Sequence, residues 1–405
     1  MMTAAPLKFA DIVFQRAHIE KTMAFYDGRC VDNAGGFYHF FLDDGTVYNT
    51  TTRHLVSSTR FVINYAKAGR CFNRPDYIAL ARHGLAFIEA KHFQKATGGY
   101  AWLLESNAVA DGTNHCYGAA FVLLCYAEAL KSGISKALLG VESAYDLLDK
   151  RFWREADGLF VDEYDASFAT LSPYRGQNAN MHSCEALICA YQATGDAKFL
   201  RRAQTVAESV TGRLALQAGA GNTGLVWEHY NPQWQIDLAY NLDNPKHLFR
   251  PWGYQPGHQT EWTKLLLTLH QLEPNAAYVA RAKLLFDTAV ARSWDSANGG
   301  LVYGFAPDGT VCDGDKYFWV QAESFAAAAM LAEATGYAAY WNWVEKIWAY
   351  SWAHMIDHQH GAWYRILTMD NKKYSNEKSP AGKTDYHTMG ASFELIDVLK
   401  RLGAA

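Results

Sequence analysis

The sequence has few charged residues, and neither sign dominates. Lys and Arg number 37 against 41 Asp and Glu among 405 residues, which gives a formal net charge of −4. No basic block stands out, so the electrostatic signature of a nucleic-acid-binding protein is missing. No run of 18 or more apolar residues occurs, and a membrane-spanning helix is therefore not expected. The 50% of hydrophobic residues is enough for a large core, which excludes a disordered chain.

Motifs that mark several common classes of site are also missing. The seven cysteines are scattered without a CxxC pair, so neither a zinc finger nor a disulfide framework is indicated. A phosphate-binding loop, a dinucleotide-binding GxGxxG and a GxSxG nucleophile elbow are absent. The opening MMTAAPLKFADIVF lacks the basic and apolar regions of a signal peptide. Together these features predict a cytoplasmic protein with reduced thiols.

Aromatic residues, by contrast, make up 14% of the chain, and a short motif of glycine followed by aromatic or apolar residues recurs six times. Successive copies lie about 60 to 75 residues apart, as expected of an internal repeat. Each copy is short, alternating and bounded by turn-forming residues, which predicts a strand or one arm of a β-hairpin. The copies begin at Gly35, Gly98, Gly158, Gly224, Gly299 and Gly361.

Apolar residues recur at helical spacing between these copies, which predicts one helix before most copies of the motif and another after each copy. The preceding helices are predicted over 77–93, 138–152, 197–216, 276–294 and 339–356. The following helices are predicted over 52–68, 115–131, 181–194, 259–272, 318–335 and 386–402. Glycine stands near the end of many of these segments, as expected where a helix stops: Gly69, Gly133, Gly195, Gly336 and Gly403.

Six helical hairpins can form either an open solenoid or a closed ring. A solenoid needs capping repeats with polar outer faces, and none is evident here. The following helices are so apolar, as in 318–335, that they must be buried. The sequence therefore predicts an all-α fold, an (α/α)6 barrel with the following helices inside and short β-arms at the active-site end. We expect a single catalytic domain over residues 1–405.

Polar residues cluster near the beginnings of the predicted inner helices, which would all point into one mouth of the barrel. Within this set, His258 and Glu261 lie three residues apart on one helix face, and His182 and Glu185 repeat the spacing. A carboxylate can orient an imidazole, and a near-neutral imidazole suits proton abstraction. The set comprises Arg53, Arg60, His115, Asn178, His182, Glu185, His258, Glu261, Trp319, Gln321, Glu323 and His387.

Each of these residues also has a structural or metal-binding interpretation. A histidine at a helix start can be a capping residue, and Arg60 can form a buried salt bridge. Histidines 182, 258 and 387, together with Glu185 or Glu261, could ligate a divalent metal ion. No HxH or HExxH spacing occurs, however, and the ligands would come from separate helices. We therefore predict no metal site and no cofactor.

Three segments resemble signatures of the N-acylglucosamine 2-epimerase superfamily. They are YRGQNANMHSCEA from Tyr174, RPWGYQPGHQTEW from Arg250 and KTDYH from Lys383. The resemblance covers essentially the whole chain and implies the (α/α)6 fold. The segments are most similar to the aldose–ketose isomerase branch, which contains D-mannose isomerases and sulfoquinovose isomerases.

The resemblance implies a role for each of nine residues. His258 and His387 would be the general acid/base pair that moves a proton between C1 and C2 of a sugar through a cis-enediol intermediate. Arg60 and His182 would bind the oxygens on these carbons, and Glu261 would orient His258. The remaining substrate contacts would come from Tyr117, Asn178, Trp319 and Glu323.

The expected enzyme is a cofactor-independent isomerase that interconverts D-mannose, D-fructose and related free sugars. A sugar 2-epimerase and a sulfoquinovose isomerase of the same superfamily remain open. So does a glycoside hydrolase, for which Glu185, Glu261 and Glu323 could supply the two carboxylates, and so does a binding protein without catalysis. The expected partner is a monosaccharide, without nucleic acid or membrane, and the chain would be a monomer or a homo-oligomer.

Overall fold

The computed structural model describes residues 8–217, 223–247, 249–380 and 382–404, and these residues are mainly helical. Eleven of the α-helices in these ranges correspond to the predicted ones, although α3, α5, α7 and α11 end five to eight residues earlier than predicted, and α1 is an addition. No helix among the described residues is long and apolar enough to cross a membrane. The helices are α1 Ile12–Tyr26, α2 Leu55–Phe72, α3 Pro75–Phe87, α4 Cys116–Lys131, α5 Ala137–Leu147, α6 Gln177–Thr194, α7 Ala197–Glu208, α8 Pro256–Leu272, α9 Ala276–Ser293, α10 Phe318–Thr335, α11 Ala338–Tyr350 and α12 Tyr386–Arg401.

Four outer helices widen into a π-helical turn at their C-terminal ends. Helices α3, α5, α7 and α11 are followed by such turns, which explains why the predicted helices extend beyond the α-helical residues. The turns span Ile88–His92, Leu148–Phe152, Ser209–Leu214 and Ser351–Met355.

Only some of the glycines predicted to end helices do so. Gly195 and Gly336 are left-handed C-caps of α6 and α10, as predicted. The prediction for Gly69 is wrong, because α2 runs on through it and ends at the left-handed cap Asn73. A Cβ atom at Gly69 would lie 2.6 Å from Cδ1 of Ile78, so this glycine instead allows α2 and α3 to pack closely.

The strands are short, and the glycine motif supplies one arm of a tight antiparallel pair. In four copies the two paired residues are seven positions apart in the chain, and in the first copy Val31 pairs with Phe37. These four pairs are Phe93–Tyr100, Trp153–Phe160, Trp294–Leu301 and Ile356–Trp363. The predicted β-arm is therefore confirmed in five copies. The copy at Gly224 has no strand within its described residues.

The strands of the described residues have the following bounds: β1 Phe40–Leu42, β2 Val47–Asn49, β3 Thr52–His54, β4 Phe93–Gln94, β5 Gly99–Tyr100, β6 Leu103–Glu105, β7 Ala108–Asp111, β8 Asn114–His115, β9 Trp153–Arg154, β10 Leu159–Phe160, β11 Glu163–Tyr164, β12 Arg175–Gly176, β13 His229–Tyr230, β14 Gly304–Phe305, β15 Val311–Asp313, β16 Lys316–Tyr317, β17 Ile366–Leu367 and β18 Glu377–Ser379. Several of them lead directly into an inner helix. The strands β3, β8, β12 and β16 end immediately before α2, α4, α6 and α10, so they set the position at which each of these helices begins.

The described residues form two compact units. The α2–α7 unit lies within Gly28–Tyr240 and Ser379–Tyr386, and the α8–α12 unit lies within Met1–Asp27, Asn241–Lys378 and His387–Ala405. In the α2–α7 unit, α4 packs between α2 and α6, and each of these three helices is backed by the helix that follows it. In the α8–α12 unit, α8 packs against α10, and α9 and α11 back them. The single domain over 1–405 stays a prediction.

The inner helices are buried on nearly every side, as predicted. In α10 the residues from Phe325 to Ala329 are fully buried, and only its ends approach solvent. The outer helix α7 instead buries one stripe that includes Phe199, Ala203 and Val206. This difference follows from packing, because an inner helix has neighbours on several sides while an outer helix keeps one face in water.

Three buried ion pairs fasten the turns of the glycine motif, and in each the acid precedes the cation by 21 residues. The pairs are Asp32–Arg53, Asp295–Lys316 and Asp357–Lys378, with N–O distances of 2.8, 3.0 and 2.6 Å. Both lysines also donate to a motif carbonyl at 2.7 Å, that of Gly299 or Gly361. The three pairs thus have the same sequence spacing in different repeats. In each pair the two charges compensate each other, whereas either charge alone would be costly to bury.

Candidate active site

Eight of the nine predicted site residues occupy two recurring positions at the beginnings of the inner helices. The second residue is Tyr117 in α4, Asn178 in α6, Trp319 in α10 and His387 in α12. The sixth residue is Arg60 in α2, His182 in α6, Glu261 in α8 and Glu323 in α10. Positions two and six lie one turn apart on one face of a helix. The three predicted histidines differ in depth: His387 and His258 are the second and third residues of α12 and α8, whereas His182 is the sixth residue of α6.

In the α2–α7 unit, Arg60 is held by neutral groups. Its Nη2 donates to the Tyr117 hydroxyl over 3.1 Å, and its Nη1 donates to the carbonyl of Gly382. The rings of Phe121 and Tyr386 face the guanidinium, with centroids at 4.6 and 4.9 Å. These four contacts help to fix the side chain, which is only 5% exposed.

Beside this arginine, His182 is oriented by a carboxylate. Its Nδ1 lies 2.9 Å from Oε2 of Glu185, and the Tyr386 hydroxyl donates to the other oxygen of the same carboxylate. The predicted pairing of His182 with Glu185 is therefore confirmed. Since Nδ1 carries the hydrogen donated to the carboxylate, Nε2 of the neutral ring is the atom that can accept one. The imidazole also packs against Tyr117 and Phe121, at centroid distances of 5.0 and 4.9 Å.

The amide of Asn178 offers an acceptor at the same end of α6. Its Oδ1 atom is buried and has no hydrogen-bond partner among the residues that the structure describes. A buried acceptor without a partner is costly, unless a ligand or water donates to it. A sugar hydroxyl can supply such a hydrogen, so this geometry agrees with the hydroxyl-binding role expected for Asn178.

The backbone that leads into α12 is strained. Thr384 and Asp385 both have left-handed φ angles, 50° and 51°, which are rare for residues with a side chain. Asn64 donates to the Thr384 carbonyl over 2.8 Å, and the buried pair Lys383–Asp385 closes at 2.6 Å. Strain of this kind persists only where surrounding contacts impose it, and it is concentrated at functional sites.

In the α8–α12 unit, His387 belongs to a chain of charged groups. Its Nδ1 lies 2.7 Å from Oε1 of Glu323, whose Oε2 lies 2.5 Å from Nζ of Lys264. The same ammonium lies 2.7 Å from Oε2 of Glu394. The contact with Glu323 fixes the hydrogen on Nδ1 of His387, so Nε2 is the nitrogen that can take a proton. We call Lys264, Glu323, His387 and Glu394 the His387 network.

The His387 network also bears on the metal-binding alternative. Ligand atoms of Glu261, Glu323 and His387 lie within 4.8 Å of one another, which is close enough to hold an ion. However, Lys264 already places a positive charge on Glu323. Burial disfavours that charge, but Glu323, Glu394 and Glu261 outweigh it and raise the pKa of Lys264 far above its usual range. A divalent ion would have to compete with this ammonium, so the donor set fits a lysine better than a metal.

In the same unit, the rings of His258 and Trp319 can pack together because the residue next to His258, Gly257, has no side chain. The ring centroids of His258 and Trp319 lie 5.0 Å apart, and that of His387 lies 5.8 Å from the indole. A Cβ atom at Gly257 would lie 2.3 Å from the indole carbon Cζ3. Pro256 starts α8 at the position that proline prefers. The Pro-Gly-His segment thus starts the helix, makes room for the indole and presents the imidazole.

Two residues of the predicted polar set serve the fold instead. Arg53 forms the buried pair with Asp32 described above. The Gln321 amide spans the backbone of Leu301, accepting from its N–H over 2.9 Å and donating to its carbonyl over 2.8 Å. Arg53 therefore pairs with an acid and Gln321 with a backbone segment. These structural contacts explain why both residues lie near helix starts.

Sequence reasoning missed several residues that position the site. Lys264 lies in an otherwise apolar stretch of α8, three residues after Glu261, and this spacing was the available signal. Phe121 occupies the sixth position of α4, which matches Arg60 in α2. The contributions of Gly382 and Tyr386 depend on contacts with α2 and α6, far away in the sequence, so no local pattern indicates them.

With this geometry established, the chain can be compared with known proteins. The family model for N-acylglucosamine 2-epimerase (GlcNAc 2-epimerase) matches residues 35–391. The chain belongs to this family. It is 54% identical over 391 residues to a D-mannose isomerase from Marinomonas mediterranea, and the match covers 96% of this chain and 98% of that protein.

Solved structures agree with this assignment. A crystal structure of D-mannose isomerase matches with a TM-score of 0.95 at 54% identity, covering 98% of this chain and 100% of that one. A cellobiose 2-epimerase from Bacillus thermoamylovorans matches with a TM-score of 0.84 over 95% and 98% of the two chains. At 19% identity, the second likeness shows the fold alone. The expected superfamily, its isomerase branch and the (α/α)6 fold class are confirmed.

Proposed function

We propose that this chain is an aldose–ketose isomerase that interconverts D-mannose and D-fructose. The observation that carries the proposal is the 54% identity, over nearly the whole length of both chains, to a protein named D-mannose isomerase. The chemistry of the site residues supports it independently. Isomerisation moves a proton between C1 and C2, and this needs imidazoles of near-neutral pKa and positive groups for the sugar oxygens.

His387 and His258 are the proposed acid/base pair. One imidazole removes the proton from the carbon next to the carbonyl while the carbonyl oxygen gains a proton, which gives a cis-enediol. A proton is then returned to the neighbouring carbon, and the hydroxyl on the first carbon loses its proton and becomes the new carbonyl. Glu323 holds Nδ1–H of His387, so the proton is exchanged at Nε2. Glu261 is proposed to orient His258.

Arg60 and His182 are proposed to bind the oxygens on C1 and C2. Electron density moves onto these oxygens as the enediol forms, and fixed donors that face them lower the barrier. The guanidinium of Arg60 keeps its charge while Tyr117 and Gly382 hold it in place. Glu185 holds the ring of His182. Tyr117, Asn178 and Glu323 are the proposed hydroxyl contacts, and Trp319 is proposed to supply an apolar face for the sugar ring.

The proposed reaction transfers only protons, so it needs neither a nicotinamide nor a metal ion. We also propose that the partner is a free monosaccharide and that the protein acts in the cytoplasm as a monomer or a homo-oligomer. The cysteines support that location, because all seven are free thiols and five of them are buried. A reducing compartment preserves thiols in this state.

The carboxylates argue against a glycoside hydrolase. Hydrolysis needs two carboxyl groups that are available to a scissile bond and to water. Glu185 is occupied by His182 and Tyr386, and Glu323 by Lys264 and His387. A 2-epimerase shares the proton abstraction at C2 but returns the proton to the opposite face of that carbon. It is the second candidate, because the matched family carries that name.

The deciding experiment is proton NMR of the purified protein with D-mannose in D2O, with and without EDTA. We expect fructose that carries deuterium, formed at the same rate in both samples. Glucose as the first product would support the epimerase instead, and release of sugar from a chromogenic glycoside would support the hydrolase. If mannose is not converted, sulfoquinovose is the next substrate to test. Loss of activity in EDTA would overturn the metal-free mechanism.

A further inference from the structure

We propose that Lys264 is a positioning residue for His387, acting through Glu323. Its ammonium holds Glu323 as the carboxylate that accepts the Nδ1–H of His387, and it disfavours a second positive charge on the imidazole. This inference deepens the proposed function and rests on it for its catalytic consequence. The structural part, that Lys264 controls the protonation of His387, can be tested without substrate.

The geometry assigns one carboxylate to two partners. Oε2 of Glu323 lies 2.5 Å from Nζ of Lys264, and Oε1 of the same group lies 2.7 Å from Nδ1 of His387. All three side chains are buried, with exposed fractions of 7% for the lysine and 3% for the glutamate. The contact of Glu323 with His387 is a charge-assisted hydrogen bond, and its contact with Lys264 is an ion pair that is poorly screened in a buried site. The charge of the lysine therefore influences the protonation of the histidine, and the reverse is also true.

The charges around this carboxylate make the lysine hard to replace. On α8 the titratable groups near it are Glu261 and Lys264, and on α12 they are His387 and Glu394. Three carboxylates, counting Glu323 itself, thus lie around the ammonium of Lys264, which is the cation that contacts Glu323. If that cation is removed, the nearest group that can supply a positive charge is the imidazole of His387.

Helices α9 and α11 also pack against α10, and three charged side chains on them have partners of their own. Lys283 pairs with Asp287 at the surface of α9, and both are more than 40% exposed. On α11 the carboxylate of Glu345 accepts hydrogen bonds from the backbone of residues 8–10. The ammonium of Lys264 is therefore the cation placed directly on Glu323.

The sign of the effect follows from this arrangement. A base must be neutral to accept a proton, and a nearby ammonium favours the neutral imidazole. The ammonium itself remains charged, because its carboxylate partners raise the pKa of Lys264 although burial opposes them. Without Lys264, the imidazole would hold its proton up to a higher pH. The acidic limb of the profile of kcat against pH would then move to higher pH.

The test compares three variants across pH 5 to 9. Lys264→Met keeps a similar length without charge, Lys264→Arg restores a cation, and Glu394→Gln removes the other acid while leaving Lys264 on Glu323. For Lys264→Met we expect the acidic limb to move up by about one pH unit, with about a tenfold loss of kcat at the acidic end and little change in KM. Lys264→Arg should return the limb towards the wild-type position, and Glu394→Gln should not raise it.

A substrate-free measurement separates this inference from the proposed function. Nitrogen NMR of histidine-labelled protein follows the titration of each imidazole, and His387 is assigned by its absence from a His387→Asn spectrum. We expect the titration midpoint of His387 to rise in folded Lys264→Met, whether or not the wild-type chain converts mannose. An unchanged midpoint, or a loss of kcat that is equal at every pH, would overturn the inference. A wild-type chain without isomerase activity would overturn only the proposed function.

Discussion

The imidazole of His387 and the carboxylate of Glu323 lie 2.7 Å apart, although 64 residues separate them in the chain. The two side chains come from the beginnings of α12 and α10, so the contact depends on how the inner helices pack and not on a local motif. It fixes one tautomer of the ring. It therefore determines which nitrogen can exchange a proton with a substrate, and the first prediction follows from it.

Replacement of His387 by Asn should abolish isomerisation while the protein remains folded. The change removes a proton-transfer group, and such groups contribute about 10² to 10⁴ in rate. We expect kcat with D-mannose to fall by at least about 10² and KM to change little. His358→Asn is the matched control, because that imidazole is exposed and its Nε2–H donates to the carbonyl of Trp352 over 2.7 Å. A folded His387→Asn variant with more than a tenth of the wild-type kcat would contradict the role.

Replacement of Arg60 by Lys should slow the reaction although the positive charge is kept. A lysine lacks the fork that reaches Tyr117 and Gly382 together, so the charge would no longer be fixed in position. Removing one donor to a developing oxyanion typically costs about 10² to 10³ in kcat, and we expect a loss of this size. Tyr117→Phe removes one of the same contacts without touching the charge and should lose less. Equal losses in both variants would mean that the hydroxyl matters more than the guanidinium.

Replacement of Gly257 by Ala should displace Trp319. The new Cβ would lie 2.3 Å from the indole, far inside van der Waals contact, so the ring must move away from His258. Because the indole is the proposed sugar-binding face, we expect KM for D-mannose to rise several-fold and the tryptophan fluorescence to change. Gly390→Ala in α12 is the control, because a Cβ there has nothing within 4 Å and alanine favours the helix. The two variants should therefore differ in KM and in thermal stability.

Stability should decrease in mild acid because three histidines of the α2–α7 unit are buried in neutral form. Burial, followed by the neighbouring His92, His115 and Arg60, lowers the pKa of His54 to about 3, and burial lowers the pKa of His92 to about 4. Burial also lowers the pKa of His39 well below its usual 6.5. As the pH falls below about 6.5, the unfolded chain takes up protons that the folded chain cannot accept.

The stability contributed by these histidines is complete above pH 6.5 and is lost as the pH falls towards 4. Each group contributes a slope of up to about 1.4 kcal/mol per pH unit in the free energy of unfolding. Urea unfolding between pH 4.5 and 7.5 measures that slope, and His92→Gln should reduce it by removing one titrating group. A free energy of unfolding that does not change with pH below 6.5 would show that these imidazoles are protonated in the folded protein.

The sequence predicts the helices of the repeat well, and one helix shows why a helix can be missed. The buried face of α1 includes Gln15, His18 and Thr22, so it carries no clear apolar period. These polar groups are tolerated because they are bonded, as where Trp363 donates to Nε2 of His18 over 2.8 Å. Such pairing is invisible before the fold is known, because the two partners lie 345 residues apart.

The site residues that could be predicted from the sequence are those that occupy the same position in several repeats. Arg60, His182, Glu261 and Glu323 share the sixth position of their helices, so comparison of the repeats brings them together without knowledge of their contacts. Lys264 has no counterpart of this kind, and in the sequence it is a lone charge in an apolar stretch. Its function depends on carboxylates supplied by α10 and α12, which only the packing of the helices reveals.

The three acid–cation pairs with a spacing of 21 residues also constrain how this chain can change during evolution. Losing one member of a buried pair costs about 3 to 5 kcal/mol, whereas replacing both by apolar residues of similar volume is often tolerated. Such a pair can therefore be lost in evolution only through a poorly folded intermediate sequence or through two simultaneous substitutions. We expect Asp32, Asp295 and Asp357 to be inherited together with Arg53, Lys316 and Lys378, even in relatives whose substrate has changed.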